Sequence, residues 1–259
     1  MHAILEAIKS WYRALRNARI YRRERTGILK ILSKRGYTSI RPFQRSKWHH
    51  QMYLFTAQSP EKEEVFIKLT RLSRLLKNEN KVYRRLSKNA FLKGHIIYRR
   101  EYFKAGGYRV LVLKKVRGQI LTNDWMAAHV PELQTLIRIV DTFAELSLVH
   151  RDVKPDNFIL EGGAIKVFDF SFMVDRESGK TPREIELSET ANLEKLLALG
   201  TGYKPAPLHW DDYFALTVIF SEVLKHAEPI LSPADRTLLL DYLEECREKT
   251  GSNSYTILR

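Results

Sequence analysis

The most informative stretch of this chain is His150-Arg151-Asp152-Val153-Lys154-Pro155-Asp156-Asn157, which is followed at once by the apolar run Phe158-Ile159-Leu160. A Gly162-Gly163 pair and a second apolar run from Ile165 to Phe168 come next, and Asp169 follows that run directly. Two short apolar runs joined by a pair of glycines predict a β-hairpin. Because Asn157 and Asp169 flank this hairpin, we expect their side chains to converge.

The residue types in this segment match the requirements of phosphoryl transfer, which needs positioning and charge neutralisation more than covalent chemistry. Asp152, in a loop that we expect to be exposed, suits the uptake of a proton from an acceptor hydroxyl. Lys154, two residues later, provides a cation for the γ-phosphate. The Asn157 amide and the Asp169 carboxylate supply hard oxygen ligands of the kind that Mg²⁺ prefers. The segment therefore predicts catalytic roles for Asp152 and Lys154 and a metal site at Asn157 and Asp169.

The stretch from His150 to Asn157 resembles the catalytic loop of the protein-kinase superfamily, nearly letter for letter in its eukaryotic-like Ser/Thr form. The resemblance implies an enzyme that uses ATP and Mg²⁺, with Asp152 as the base, Lys154 as a phosphate contact, and Asn157 and Asp169 as metal ligands. A catalytic loop with a metal-binding aspartate at the expected distance is far more specific than any single short motif.

The resemblance extends along most of the chain and implies the nucleotide-binding residues. Lys68, in the predicted strand Val65–Leu69, matches the lysine that such kinases place on the α- and β-phosphates. Glu79, on the next predicted helix, is its expected partner. Lys114 and Val116 match the backbone positions that face the adenine. Asp212 matches the aspartate that braces the catalytic-loop backbone.

The implied fold is α+β, a bilobal protein-kinase-like fold with a small β-rich N-lobe and a shortened helical C-lobe. The expected division is a basic amphipathic N-terminal helix over residues 1–30, an N-lobe of β-sheet plus one helix over 31–116, and a helical C-lobe over 117–259 that holds the catalytic loop and the metal-binding hairpin. Apolar spacing, Pro and Gly signals predict the main helices, which cover residues 72–86, 122–129, 131–146, 212–224 and 233–249.

The chain departs from the kinase pattern in two places that concern the site. No glycine occurs between Tyr37 and Phe55, where such kinases carry a glycine-rich loop over the phosphates. We therefore expect basic residues to cover the phosphates there, namely Arg41, Arg45 and Lys47. Ser171 replaces the glycine that usually follows Asp169-Phe170.

The charge is strongly uneven along the chain. The formal net charge is +14, and residues 1–110 hold 27 Lys and Arg against 7 Asp and Glu, whereas residues 111–259 hold 17 against 23. The basic first part favours anionic partners, either through a solvated basic surface alone or through peripheral contact with an anionic membrane. One cysteine, Cys246, fits a reducing compartment. The predicted location is cytoplasmic, with the inner membrane face as the alternative.

The sequence leaves the phosphate acceptor open. The catalytic-loop lysine favours a serine or threonine of a protein, whereas the basic first half and the trimmed helical lobe are similar to bacterial lipopolysaccharide-core sugar kinases, which act on an anionic glycolipid at the membrane inner face. A pseudokinase scaffold is a third interpretation, although Lys68, Asp152 and Asp169 are all present. Nucleic-acid binding is the weakest, because no helix-turn-helix, zinc or stacking-strand signature accompanies the charge.

Overall fold

The computed structural model describes residues 23–43, 52–71, 73–177 and 197–257, and it has a mixed α+β fold with a β-rich N-terminal region and a helical C-terminal region. The expected α+β class and the order of its two regions are therefore confirmed. The chain divides into two compact units. The sheet unit comprises the described part of Met1–Leu76 together with Arg99–Lys115, and the helical unit comprises Lys77–Tyr98 together with the described residues from Val116 onward. Residues 77–98, which lie within the expected 31–116 lobe, group with the helical unit in this division.

The sheet unit is built on a five-stranded antiparallel sheet in the order β1-β2-β3-β5-β4. Its strands are β1 (Thr38–Pro42), β2 (Met52–Gln58), β3 (Glu64–Thr70), β4 (Arg99–Ala105) and β5 (Tyr108–Lys114). Strands β4 and β5 form a hairpin whose turn, Gly106-Gly107, has φ of +55° and +80°. Glycine tolerates these left-handed angles, which explains why a pair of glycines occupies this turn.

One face of the sheet forms the core of this unit, because alternate residues of each strand point to the same side. A helix over residues 23–34, α1, buries Ile28 and Leu32 in this core. The strand residues of the core are Tyr53, Phe55, Ala57, Val65, Ile67, Leu69, Phe103, Tyr108, Val110 and Val112.

Lys68 points to the opposite face of the sheet. It pairs in register with Leu54 of β2 and Leu111 of β5, and directly paired residues share a face. Its two core-facing neighbours in β3 are Ile67 and Leu69. Lys68 is nevertheless buried.

The helical unit consists of helices and three small antiparallel sheets. Its helices are most of α2 (Ser73–Leu86), α3 (Ala90–His95), α4 (Asn123–Ala128), α5 (Gln134–Glu145), α6 (Asp212–Ala227) and α7 (Pro233–Lys249). Its strands are β6 (Gln119–Ile120), β7 (Leu148–Val149), β8 (Phe158–Glu161), β9 (Ala164–Val167), β10 (Val174–Asp175), β11 (His209–Asp211) and β12 (Ser254–Thr256). The sheets are β6-β8-β9, β10-β7 and β11-β12.

Side-chain caps set the starts of several helices. The Asp211 carboxylate accepts hydrogen bonds from the backbone nitrogens of Tyr213 and Phe214, which begins α6. Ser232 caps α7, which has proline at its first position. The predicted helix over 131–146 is shorter than expected, because its proline belongs to a separate 3-10 turn, Val130–Leu133, and the α-helix begins at Gln134.

Several predicted features fall outside the described residues. Residues 1–22, which form most of the expected amphipathic helix, are among them, as are Arg45 and Lys47, whereas Arg41 lies in β1 and is exposed. Across the described ranges, no helix combines the length and the apolar character that crossing a membrane requires.

Candidate active site

Asp152 lies in the loop between β7 and β8, and three donors hold its carboxylate. The Lys154 Nζ and the Asn157 Nδ2 lie 2.7 Å and 2.9 Å from its Oδ2. The backbone nitrogen of Gly200, 48 residues further along the chain, donates to its Oδ1 at 3.2 Å. Asp152 is only 7% exposed, so the expectation of an exposed residue was wrong. The segment that carries Gly200 covers this side of the loop, which a local sequence pattern cannot indicate.

The backbone of the loop is braced by Asp212 at the start of α6. The Asp212 carboxylate accepts hydrogen bonds from the backbone nitrogens of His150, at 2.7 Å, and Arg151, at 3.1 Å. The Asn253 side chain donates to the same carboxylate at 3.2 Å. Burial raises the pKa of Asp212 to about 7, and the two backbone hydrogen bonds act in the opposite direction. The bracing role expected for Asp212 is confirmed.

His150 links the catalytic loop to the end of the β8–β9 hairpin. Its Nε2 lies 3.2 Å from the carbonyl oxygen of Phe168, and the backbone nitrogen of Asp152 donates to its Nδ1 at 3.3 Å. The hydrogen is therefore on Nε2 and the ring is neutral, which agrees with its complete burial. Burial lowers the pKa of His150 below its ordinary value. Both ring nitrogens of His150 thus take part in hydrogen bonds, one within the loop and one to the hairpin, so His150 has a structural role and not that of a base.

The β8–β9 hairpin brings Asn157 and Asp169 to one end of the same small sheet. Phe158 pairs with Val167, and the backbone nitrogen of Phe168 donates to the carbonyl oxygen of Asn157 at 3.1 Å. Asp169 follows immediately, with φ of 64° and ψ of 62°. This left-handed conformation is uncommon for a residue with a side chain, and such strain concentrates at functional sites. Asn157 and Asp169 therefore lie at the same end of the hairpin, as expected from the sequence, and the convergence of their side chains stays a prediction.

The side-chain oxygens of Asn157 and Asp169, at this end of the hairpin, are ligands of the kind that a magnesium ion prefers. The Asn157 Nδ2 is held by the backbone oxygen of Asp152, at 2.7 Å, and by its carboxylate. The amide oxygen of Asn157 is thus the end of the side chain that accepts no hydrogen bond among the described residues. One amide oxygen and one carboxylate suit Mg²⁺, which completes its shell with waters and substrate phosphates. A cluster of three or more His, Cys, Asp or Glu side chains able to hold a metal is absent from the described ranges.

Arg151 is buried next to Asp152 and contacts two aromatic rings. Its Nε donates to the carbonyl oxygen of Phe172 at 2.6 Å. Its guanidinium carbon lies 5.1 Å from the ring centre of Trp210 and 5.4 Å from that of Tyr255. Its two terminal nitrogens have no hydrogen-bond partner in the described part of the chain. Burial lowers the pKa of Arg151 to about 10, so the group remains a cation at neutral pH.

Glu79 of α2 is fully buried and contacts the turn that follows Asp169. The Ser171 hydroxyl donates to its Oε2 at 2.8 Å. The remaining predicted nucleotide-binding residues are Lys68, near the centre of the sheet in β3, Lys114, exposed at the end of β5, and Val116, which is half-buried just after it. Lys68 and Lys114 belong to the sheet unit, and Glu79 and Val116 belong to the helical unit.

Three contacts at the site were not predicted from the sequence. These are the bond from Gly200 to Asp152, the bond from Ser171 to Glu79 and the contact of Tyr255 with Arg151. Each joins residues at least 48 positions apart. The only available signal was the presence of Ser171 in a segment already singled out by its resemblance to kinases. No protein-family model matches the chain.

Proposed function

We propose that this protein is an ATP- and Mg²⁺-dependent phosphotransferase that moves the γ-phosphoryl group of ATP to a hydroxyl, with Asp152 as the base. The observation that carries the proposal is the arrangement around Asp152. Its carboxylate is held by Lys154, Asn157 and the Gly200 backbone, in a loop that meets the Asn157–Asp169 end of the β8–β9 hairpin. A base for the acceptor hydroxyl and two oxygen ligands for the metal are the groups that this reaction needs.

The described geometry supports distinct tasks for the side chains. Asp152 takes the proton of the acceptor hydroxyl, and the bond from Asn157 orients its carboxylate for that purpose. Lys154 binds Asp152 and adds a positive charge where negative charge develops. Asn157 and Asp169 would hold Mg²⁺, which, when bound, supplies neutralisation of the phosphate charge. Lys68, Glu79, Lys114 and Val116 complete the proposal as residues of the ATP site.

The proposed fold is bilobal and protein-kinase-like, with a small β-rich N-lobe and a shortened helical C-lobe. The order of elements supports it. A five-stranded antiparallel sheet carries a buried lysine in its third strand, and helix α2 with a buried glutamate follows that strand. The catalytic loop, the β8–β9 hairpin and the apolar helix α6 come later, in that order.

The proposed acceptor is a serine or threonine of a protein. The 2.7 Å ion pair between Lys154 and Asp152 favours it, because a lysine two residues after the base is the feature that the resemblance associates with Ser/Thr kinases. The hydroxyl of a sugar on an anionic glycolipid is the second candidate, which the basic first part of the chain favours. Incubation with γ-labelled ATP, followed by separation of protein and lipid fractions, distinguishes the two by the destination of the label.

Asp152→Asn tests the reaction itself, because it preserves the shape of the side chain while removing the base. We expect turnover of γ-labelled ATP to fall by about 100-fold or more. Asp156→Asn is the matched control, since Asp156 is an exposed carboxylate in the same loop, and it should change turnover by less than about twofold. Urea unfolding of both variants would show that the fold is retained.

Two results would contradict the proposal. Turnover by Asp152→Asn equal to that of the wild type would remove Asp152 as the base. Binding of ATP and Mg²⁺ by the wild type without any turnover would favour the pseudokinase scaffold instead. Calorimetric titration with ATP and Mg²⁺, followed by measurement of released or transferred phosphate, separates these cases.

A further inference from the structure

Ser171 lies between two carboxylates in the turn that follows the hairpin. Its side-chain oxygen is 2.8 Å from Oε2 of Glu79 and 3.1 Å from Oδ1 of Asp169. Ser171 is only 2% exposed, and Glu79 is fully buried. A hydroxyl carries one hydrogen, so it donates to one of the two carboxylates at a time. The hydroxyl is therefore within hydrogen-bond distance of both carboxylates, and one of the two is the carboxylate proposed to bind magnesium.

Two further residues of helix α2, Asn78 and Tyr83, contact the same turn. The Asn78 side chain donates to the backbone oxygens of Ser171, at 3.2 Å, and Met173, at 2.8 Å. The ring of Tyr83 packs edge-on against Phe170, with 4.9 Å between ring centres. Glu79 and Tyr83 are four residues apart and so lie on one face of the helix. The Ser171 hydroxyl is the point at which this helix face reaches Asp169 through hydrogen bonds.

The backbone at Ser171 does not call for glycine. The non-glycine residues with positive φ in the described ranges include Asp169 but not Ser171. Glycine's conformational freedom is therefore not needed at this position, and the side chain adds a hydrogen-bonding group. Asp169, in contrast, holds a left-handed conformation that neighbouring contacts must maintain.

We propose that Ser171 is a positioning residue for Asp169, and that its hydroxyl, by donating to the Asp169 carboxylate, holds it in the orientation needed to bind Mg²⁺. This inference rests on the proposed function. A carboxylate that already accepts a hydrogen bond through one oxygen loses less conformational entropy when it binds a metal ion. The hydrogen bond from Ser171 therefore favours the metal-bound state.

The test compares Ser171→Ala and Ser171→Gly with the wild type, since both variants lack the hydroxyl and only the second frees the backbone. The Mg²⁺ concentration for half-maximal ATP turnover should rise about tenfold in both, the factor expected for a hydrogen bond to a charged group. Turnover at saturating Mg²⁺ should change by less than about threefold, because Ser171 does not contact the reacting atoms. Calorimetric titration of Mg²⁺ in the presence of the non-hydrolysable β,γ-imido analogue of ATP provides a second readout and should show the same tenfold weakening.

Ser221→Ala is the control for the loss of a hydroxyl elsewhere in the helical unit. Ser221 is exposed on α6, and its hydroxyl donates to the backbone of the same helix at 2.7 Å. It should leave the Mg²⁺ dependence unchanged. An unchanged Mg²⁺ dependence in Ser171→Ala, beside an active wild type, would overturn the positioning role and leave the proposed function intact. A wild type that neither turns over ATP nor binds Mg²⁺ with the analogue would overturn both.

Discussion

Gly200 is the position at which a single added methyl group tests the geometry around Asp152 most directly. Its φ is +68°, and a Cβ placed on it would lie 2.9 Å from the backbone oxygen of Arg151 and 3.3 Å from Cδ1 of Trp210. Its backbone nitrogen donates to Asp152 Oδ1. Gly200→Ala must therefore move either this segment or the backbone of the loop at Arg151, and both movements disturb Asp152, the proposed base.

Gly202 provides a closely matched control two residues away. Its φ is +89°, and a Cβ there would have no heavy atom within 4 Å. Both alanine variants carry the cost of a left-handed residue with a side chain, roughly 1–2 kcal/mol. Only Gly200→Ala adds the contact with a backbone carbonyl and the loss of the bond to Asp152, for which we expect about 2–4 kcal/mol more.

The two variants should separate in both stability and activity. Urea unfolding should show the additional loss in the free energy of unfolding for Gly200→Ala. ATP turnover should fall about 100-fold in that variant, as expected for a base displaced by about 1 Å, and by less than about threefold in Gly202→Ala. Equal losses in the two variants, in either measurement, would refute the conclusion that the Gly200 backbone holds Asp152 in place.

Further predictions concern three buried groups of the helical unit. Tyr255→Ala should lower the free energy of unfolding by about 1–3 kcal/mol, because it removes the ring that contacts the Arg151 guanidinium and stacks on Trp210. Tyr255→Phe should stay close to the wild type in urea unfolding. Equal losses in both variants would assign the effect to the hydroxyl. The Tyr83 hydroxyl is buried without a hydrogen-bond partner in the described residues. Tyr83→Phe should therefore leave the free energy of unfolding unchanged or raise it by about 1 kcal/mol. A decrease of more than about 2 kcal/mol would show that this hydroxyl has a hydrogen-bond partner. Cys246 is fully buried, and burial raises the pKa of its thiol to about 12. Its labelling by an aromatic disulfide should therefore be slow in the native protein and should increase with urea along the unfolding curve; rapid stoichiometric labelling without urea would contradict this burial.

The predictions that succeeded rest on signals within short windows. The paired glycines at 162–163 indicated the β8–β9 hairpin, and the structure has its turn at this position. The helices at 73–86 and 233–249 follow the predicted apolar spacing closely. The position of Asn157 and Asp169 at one end of this hairpin was also predictable, because the two residues flank its paired strands in the sequence.

Other features could not be inferred from local patterns. Asp152 was expected to be exposed, but it is buried because the segment from Leu197 onward covers it. The expected lobe over 31–116 treated α2 as part of the sheet region. In the structure the contacts of Glu79 and Asn78 with the turn at Ser171 place most of that helix in the helical unit.

The amino-acid sequence alone determined the catalytic-loop pattern, the hairpin behind it and the α+β order, because these depend on residue types and spacings within about a dozen positions. The tertiary structure alone decided which distant groups complete the site, namely Gly200 on Asp152, Ser171 on Glu79 and Tyr255 on Arg151. The physical reason is that each of these contacts depends on how separate elements pack, and packing is set by the shape of the whole core, whereas turns and helix caps are set by neighbours along the chain.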